Sequence, residues 1–162
     1  MTVTFHESWI PGAIGDIAAL HAHTYAGSHG FGAYFEAKVA RELGDFLLRL
    51  DPARDLFRCA VLDGRVVGSI ALDCGEDPAS AHLRWFVLDA RLRGQGIGRR
   101  WLAEAIAQAR RIGVPEVYLW TLDGLDAAAR LYDDAGFALA EEIQAEQWGR
   151  RVTERRHVLS LR

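Results

Sequence analysis

Apolar and polar positions change their spacing repeatedly along this chain. In the first third, alternation predicts a strand over residues 3–9, and spacing of three to four residues predicts helices over 14–25 and 31–47. Two apolar runs follow at 57–62 and 65–72, joined by Asp63-Gly64. Because Asp-Gly suits a two-residue turn, these runs predict a β-hairpin.

The remaining residues predict a second alternation of strands and helices. Strands are expected over 82–88 and 117–121, with a helix over 97–112 between them that ends at Gly113. Asp123 is expected to cap a fourth helix that Gly136 ends. Two last strands are expected over 137–147 and 152–159. The predicted order is β-α-α-β-β-β-α-β-α-β-β, which favours one mixed α/β sheet and a single domain over residues 1–162.

Composition and charge exclude several classes of protein. The chain has 162 residues and a net charge of −3, so it has no basic surface of the kind that nucleic-acid binding needs. No apolar run reaches the roughly 18 residues of a membrane span, and no leader-like segment begins the chain, so we expect a cytoplasmic protein. His21 and His23 fall on different faces of a helix, and no metal site is expected.

The segment between the strand at 82–88 and the next helix carries the chemical signal. It reads Arg93-Gly94-Gln95-Gly96-Ile97-Gly98-Arg99. A strand, a glycine-rich turn and a helix together aim backbone amides at an anion, although many such turns bind nothing. A dinucleotide fingerprint would need glycine where Arg99 stands, and the chain has no Gly-Lys-Ser/Thr run of a P-loop.

The spacing Arg93-x-x-Gly96-x-Gly98 resembles the pyrophosphate-binding motif of the GNAT N-acetyltransferase superfamily, Gln/Arg-x-x-Gly-x-Gly/Ala. The predicted element order is also that of the family, which implies a sheet of six to seven strands flanked by four helices. The resemblance implies that acetyl-CoA is the co-substrate and that no metal takes part. Its binding residues would be the loop, namely Arg93, Gly94, Gln95, Gly96, Ile97, Gly98 and Arg99, and the strand residues Phe86, Val87 and Leu88, whose backbone would pair with the pantetheine arm.

A second stretch, Ala129 to Phe137, resembles the helix-four signature of the same family. The resemblance implies that Tyr132 approaches the thioester sulfur and is the general acid for the leaving thiolate. Packing of a helix face is the alternative role for this tyrosine. An asparagine common in the family near the start of this helix is replaced by Leu125, which puts one contact to the pantetheine in doubt.

The general base and the acceptor pocket are less well defined. Many family members use a carboxylate on the strand at 82–88, but this strand offers only His82, whose ordinary pKa suits proton removal. Glu36, beside aromatic residues on the second helix, is the other expected base and could hold an ammonium group. The alternative is that His82 is a surface histidine and that Glu36 is a solvated charge on its helix. Asp73 and Glu76 are weaker candidates for the base. The acceptor pocket is expected to include Tyr25, His29, Phe31, Glu36 and Trp148.

These features together predict an acetyl-CoA-dependent N-acetyltransferase that acts on a primary amine of a small molecule or protein. A non-catalytic acyl-CoA-binding or sensing module is the alternative. The runs around Leu119, Gly124 and Trp148 resemble the GNAT domain fused to MarR-type regulators, here expected to stand alone. No nucleic-acid or membrane partner is expected, and the resemblance also allows a homodimer.

Overall fold

The computed structural model describes residues 2–75 and 77–162, so Glu76 lies outside the described residues. Four helices are formed by α1 (Ala13–His29), α2 (Ala33–Arg49), α3 (Ile97–Ile112) and α4 (Asp126–Ala135). The strands are β1 (Thr4–His6), β2 (Leu56–Leu62), β3 (Arg65–Asp73), β4 (Ala81–Leu88), β5 (Glu116–Leu122), β6 (Ala138–Ala145) and β7 (Val152–Ser160). The predicted element order and α/β class are confirmed.

All seven of these strands join one mixed sheet in the order β1-β2-β3-β4-β5-β7-β6. Neighbours run antiparallel except β4 and β5, which are parallel because α3 connects them as a crossover. The turn at Asp63 and Gly64 has φ of 52° and 76°, so the predicted hairpin is present in the left-handed form that such turns require.

Each face of the sheet is covered by two helices and has its own core. Ile70 and Leu72 of β3 point into the core that α3 and α4 cover, while Ala71 points into the core below α1 and α2. Side chains alternate between the faces of a strand, so β3 is buried on both sides and is apolar along most of its length.

Two local predictions are wrong at the ends of elements. The first strand covers only Thr4–His6, not residues 3–9. The fourth helix begins at Asp126 with Leu125 as its N-cap and without a side-chain cap. Asp123, the expected cap, instead accepts a hydrogen bond from the Arg155 guanidinium at 2.9 Å. The Asp123 carboxylate therefore forms an ion pair with β7 instead of capping α4.

The parallel strands β4 and β5 separate after two residue pairs. Only Ala81 with Val117 and His82 with Tyr118 are in register. An irregularity in the β3–β4 pairing lies just beyond this point, where Trp85 has φ of 47°. The Ser69 hydroxyl of β3 donates to the Trp85 carbonyl at 2.6 Å and holds this conformation. The sheet thus has a gap at its centre.

We predict that Ser69→Ala destabilises the protein by about 1–3 kcal/mol, because a buried carbonyl loses its hydrogen-bond donor. Urea unfolding monitored by circular dichroism measures the change. Ser160→Ala is the matched control, since Ser160 is exposed at the end of β7, and its effect should stay within about 0.5 kcal/mol. Equal stability of Ser69→Ala and the unsubstituted protein would show that the hydroxyl does not hold the irregularity.

Candidate active site

The glycine-rich loop lies at the N-terminus of α3, as the sequence predicts. Gly94 and Gly96 have φ of 78° and 76°, a backbone region that residues with a side chain rarely adopt. Among the described residues, the backbone amides of 94–99 donate no hydrogen bond, and Arg100 is the first residue whose amide bonds back into the helix. Unpaired amides and the positive end of the helix dipole together form a site for an anion.

Close packing explains the last glycine of the loop. A Cβ at Gly98 would lie 3.4 Å from side-chain atoms of Leu88 and Phe86, at the short limit of ordinary van der Waals contact. Glycine here lets α3 start directly against β4. Ile97 is buried in the core, so only its backbone faces the loop, and Arg99 is held by Asp134 at 3.0 Å.

A cavity of about 300 Å³ occupies the gap between β4 and β5. Helices from both faces of the sheet contribute to its wall, so the cavity passes through the sheet. Its aromatic and ionisable lining residues are His21, Tyr25, Phe35, Glu42, His82, Arg84, Trp85, Phe86, Trp120, Tyr132, Trp148 and Glu154.

Tyr132 enters this cavity from α4. Its ring is 7% exposed and packs near Phe137 and His157, at centroid distances of 5.8 Å and 6.3 Å. Burial raises the pKa of Tyr132, and the nearby Tyr25 adds to the shift. The hydroxyl makes no hydrogen bond within the part of the chain that the structure describes. Tyr132 therefore keeps its proton at neutral pH and has it free to donate.

The two expected bases differ in position. His82 lines the cavity at the point where β4 and β5 separate, stacked on Tyr118 with 4.4 Å between ring centroids. Burial, with a further contribution from Arg84, lowers the pKa of His82 to about 3, which makes it a weak base. Glu36 is exposed on α2 and is not among the lining residues. His82 therefore has a position that suits a base but a lowered pKa, while Glu36 lies outside the cavity wall.

The five residues expected around the acceptor separate into two groups. Tyr25 and Trp148 line the cavity. Phe31 is buried behind the wall, 4.8 Å from the Phe35 ring, while His29 donates from Nε2 to the Asp123 carbonyl at 2.9 Å and ties α1 to the loop before α4. Glu36 is exposed, so Tyr25 and Trp148 are the two of the five that form part of the cavity wall.

Arg84 and Glu42 were missed by the sequence reasoning. The Arg84 guanidinium donates to Glu42 at 3.0 Å and to Asp73 at 3.3 Å. Arg84 also lies over the Trp85 ring, 4.2 Å from its centroid. Lys38 approaches Glu42 at 3.6 Å, so this carboxylate has two cationic partners. The pair comes from β4 and α2, and no pattern in the sequence joins them.

Glu154 of β7 is the second missed carboxylate. It is 1% exposed, and its Oε1 accepts from the Gln147 amide at 2.6 Å and the Trp148 indole at 2.9 Å. Its Oε2 is buried without a hydrogen-bond partner among residues 2–75 and 77–162. In the sequence this glutamate stands beside Arg155 and Arg156, which gives it the pattern of a solvated strand face.

The described residues contain no group of three or more histidine, cysteine, aspartate or glutamate side chains that could hold a metal ion. None of their helices combines the length and the apolar character needed to cross a membrane.

Known proteins resemble this chain in sequence and in fold. The model of the acetyltransferase (GNAT) family matches residues 16–137. N-acetylaspartate synthetase of Danio rerio is 29% identical over 113 residues, which cover 69% of this chain and 40% of that protein. The acetyltransferase from Streptococcus agalactiae superposes with a TM-score of 0.75 at 19% identity, over 98% of both chains. A Salmonella typhimurium structure with its cofactor acetyl-CoA has a TM-score of 0.66 at 17% identity, over 100% of this chain and 95% of that one.

The family match covers well over half of the chain, so this protein belongs to the acetyltransferase (GNAT) family. The solved structures are too distant in sequence to show more than the fold, which is the one the glycine loop and element order predict. The chain spans about two fifths of the length of the synthetase it matches.

The pKa of His82 leads to a prediction about stability. Its pKa is about 3 in the folded protein and near 6.5 when unfolded, so below pH 6.5 the unfolded chain binds more protons. Stability present above pH 6.5 is then lost as pH falls, by about 2 kcal/mol between pH 7 and 5. In His82→Phe, urea unfolding at both pH values should show a loss of stability that is smaller by about 2 kcal/mol. An unchanged pH dependence in His82→Phe would contradict burial of a neutral imidazole.

Proposed function

We propose that this protein is an N-acetyltransferase that moves the acetyl group of acetyl-CoA to a primary amine. The observation that carries the proposal is the cavity in the β4–β5 gap. Tyr132 reaches it from the side of α3 and α4, where the amide loop lies, and aromatic side chains of α1 and α2 line its other side. A thioester and an amine can meet there from opposite faces of the sheet.

The free amides of residues 94–99 support binding of the coenzyme A pyrophosphate. Each amide offers a hydrogen bond that no other described group uses, and glycine at 94, 96 and 98 lets the backbone approach the phosphates closely. The separation of β4 from β5 leaves room beside Phe86, Val87 and Leu88. A pantetheine arm with two amides would bind to that strand edge as an added strand does.

The position and protonation of Tyr132 support its role as general acid. The amine nitrogen attacks the thioester carbonyl carbon, the C–N bond forms and the C–S bond breaks. The departing sulfur takes the Tyr132 proton as charge develops on it. A base takes the proton that the amine nitrogen loses, and the Tyr132 phenolate recovers its proton from solvent. A raised pKa keeps the phenol protonated until that moment. His82 and Glu36 stay predictions for the base.

The name of the synthetase relative suggests an amino-acid acceptor, but the cavity argues against a dicarboxylate here. Arg84 is the one arginine or lysine among its lining residues, and Glu42 and Asp73 already bind it. His21 is neutral, because burial lowers its pKa to about 4 despite the bond from Nδ1 to the Ile17 carbonyl. A carboxylate on the acceptor would meet no free cation, so an acceptor without one fits better.

A non-catalytic acyl-CoA-binding module is the second proposal. The lack of a carboxylate on β4 and the presence of Leu125 favour it, and Tyr132 argues against it.

Several sequence expectations stay proposals: one domain over residues 1–162, a cytoplasmic location, no metal, no nucleic-acid or membrane partner, and a homodimer. The resemblance to the GNAT domain of MarR-type regulators also stays a prediction.

We predict that Gly96→Ala weakens acetyl-CoA binding at least about tenfold, because a side chain at positive φ shifts the loop amides. Isothermal titration calorimetry with acetyl-CoA measures the dissociation constant. Gly64→Ala is the matched control: it has the same φ of 76° and equally open surroundings but lies in the β2–β3 turn. Equal affinities of the two variants for acetyl-CoA would contradict a role of the loop in binding it.

Thiol release from acetyl-CoA with a panel of primary amines tests the transfer itself. We predict that Tyr132→Phe lowers kcat about 10²-fold while the acetyl-CoA dissociation constant changes less than threefold, because only the proton donor is removed. Tyr34→Phe, an exposed tyrosine on α2, is the control. Release of no thiol with any amine, combined with tight acetyl-CoA binding, would favour the binding module. A loss of affinity equal to the loss of rate would make Tyr132 structural.

A further inference from the structure

Glu154 is a carboxylate that no cationic group of the described residues contacts. It is almost fully buried, yet no lysine, arginine or histidine nitrogen of the described residues lies within 4.0 Å of it. Its partners are neutral: the Gln147 amide and the Trp148 indole, both bound to Oε1. A buried carboxylate with one unpaired oxygen is costly unless a cation or a further donor completes it.

The other carboxylate of the cavity is already balanced. Glu42 contacts Arg84 at 3.0 Å and Lys38 at 3.6 Å. His21 and His82 also line the cavity, and burial lowers their pKa values to about 4 and about 3, so neither carries a positive charge at neutral pH. Among the described lining residues, no free cation is therefore left for the Glu154 carboxylate.

Glu154 lies on the acceptor side of the sheet. It is three positions from His157 on β7, and residues an odd number of positions apart point to opposite faces of a strand. His157 packs beside Tyr132, on the side of α3 and α4. Glu154 therefore points to the face of α1 and α2, where Trp148 packs against Phe35 at 5.3 Å.

We propose that Glu154 receives the ammonium group of the acceptor, and that the acceptor is a primary amine with an apolar, flat body. Aromatic rings of the lining surround the space that such a body would fill, and they favour cations as well as apolar groups. These rings are Tyr25, Phe35, Trp85, Trp120 and Trp148. Gln147 and Trp148 hold Oε1 and so fix the orientation of the carboxylate. This inference rests on the proposed function.

The experiment compares two small probes of the same size and ring, 2-phenylethylamine with its ammonium group and the neutral 2-phenylethanol. Coenzyme A is bound first in place of acetyl-CoA, so that no transfer occurs. Quenching of tryptophan fluorescence reports binding, since Trp85, Trp120 and Trp148 line the cavity. We expect the amine to bind at least about 30-fold more tightly than the alcohol, as a charge-assisted hydrogen bond in a buried site would give.

In Glu154→Gln this preference should fall below threefold, because the amide keeps the shape and the bonds to Gln147 and Trp148 but loses the charge. Glu142→Gln is the matched control, since Glu142 lies on the neighbouring strand β6, half-exposed and paired with Arg155. It should keep the full preference. Circular dichroism and coenzyme A affinity verify that each variant is folded, and Glu154→Asp should retain part of the preference.

No preference for the amine in the unsubstituted protein would overturn the inference. A preference that survives in folded Glu154→Gln would overturn it as well and would assign the ammonium to another group. Both results leave the proposed function standing when thiol is still released from acetyl-CoA with other amines. Failure of coenzyme A to bind would instead contradict the proposed function.

Discussion

The separation of β4 from β5 is the constraint on which the rest of the site depends. Two parallel strands at the centre of a sheet normally satisfy each other's backbone groups, but here only the pairs at Ala81 and His82 do so. Strand edges buried without partners are unfavourable. The gap is maintained because Ser69 fixes the Trp85 carbonyl, and a separate core covers each face of the sheet around it.

The same gap explains why so many aromatic and ionisable groups can be buried together. Removing the pairing of two strands exposes side chains of both faces to one shared space, and aromatic rings form much of its wall. Arg84 pairs with both Glu42 and Asp73, and His21 and His82 are neutral. Burial thus keeps Tyr132 protonated and His21 and His82 neutral.

Sequence reasoning succeeded where the signal is local. The glycines of the loop, the turn at Asp63 and the period of α3 each depend on a few neighbouring residues, and all were predicted. It failed where the outcome depends on distant partners. Asp123 has the residue type of a cap, but Arg155 on another element binds it. Glu154 stands in a charged run, and only the fold of the β6–β7 hairpin buries it under Trp148. The irregularity at Trp85 has no sequence signal, since tryptophan is not a residue that favours positive φ.

Because the cavity passes through the sheet, the specificity of such a protein can change on one face alone. The groups that would hold the donor lie on α3, α4 and the edge of β4, while many of those that would choose the acceptor lie on α1, α2 and the β6–β7 hairpin. The two sets meet only at the gap. Substitutions on the outer helices can therefore change which molecule enters without disturbing the other half, so new specificities can arise while the donor machinery is inherited intact.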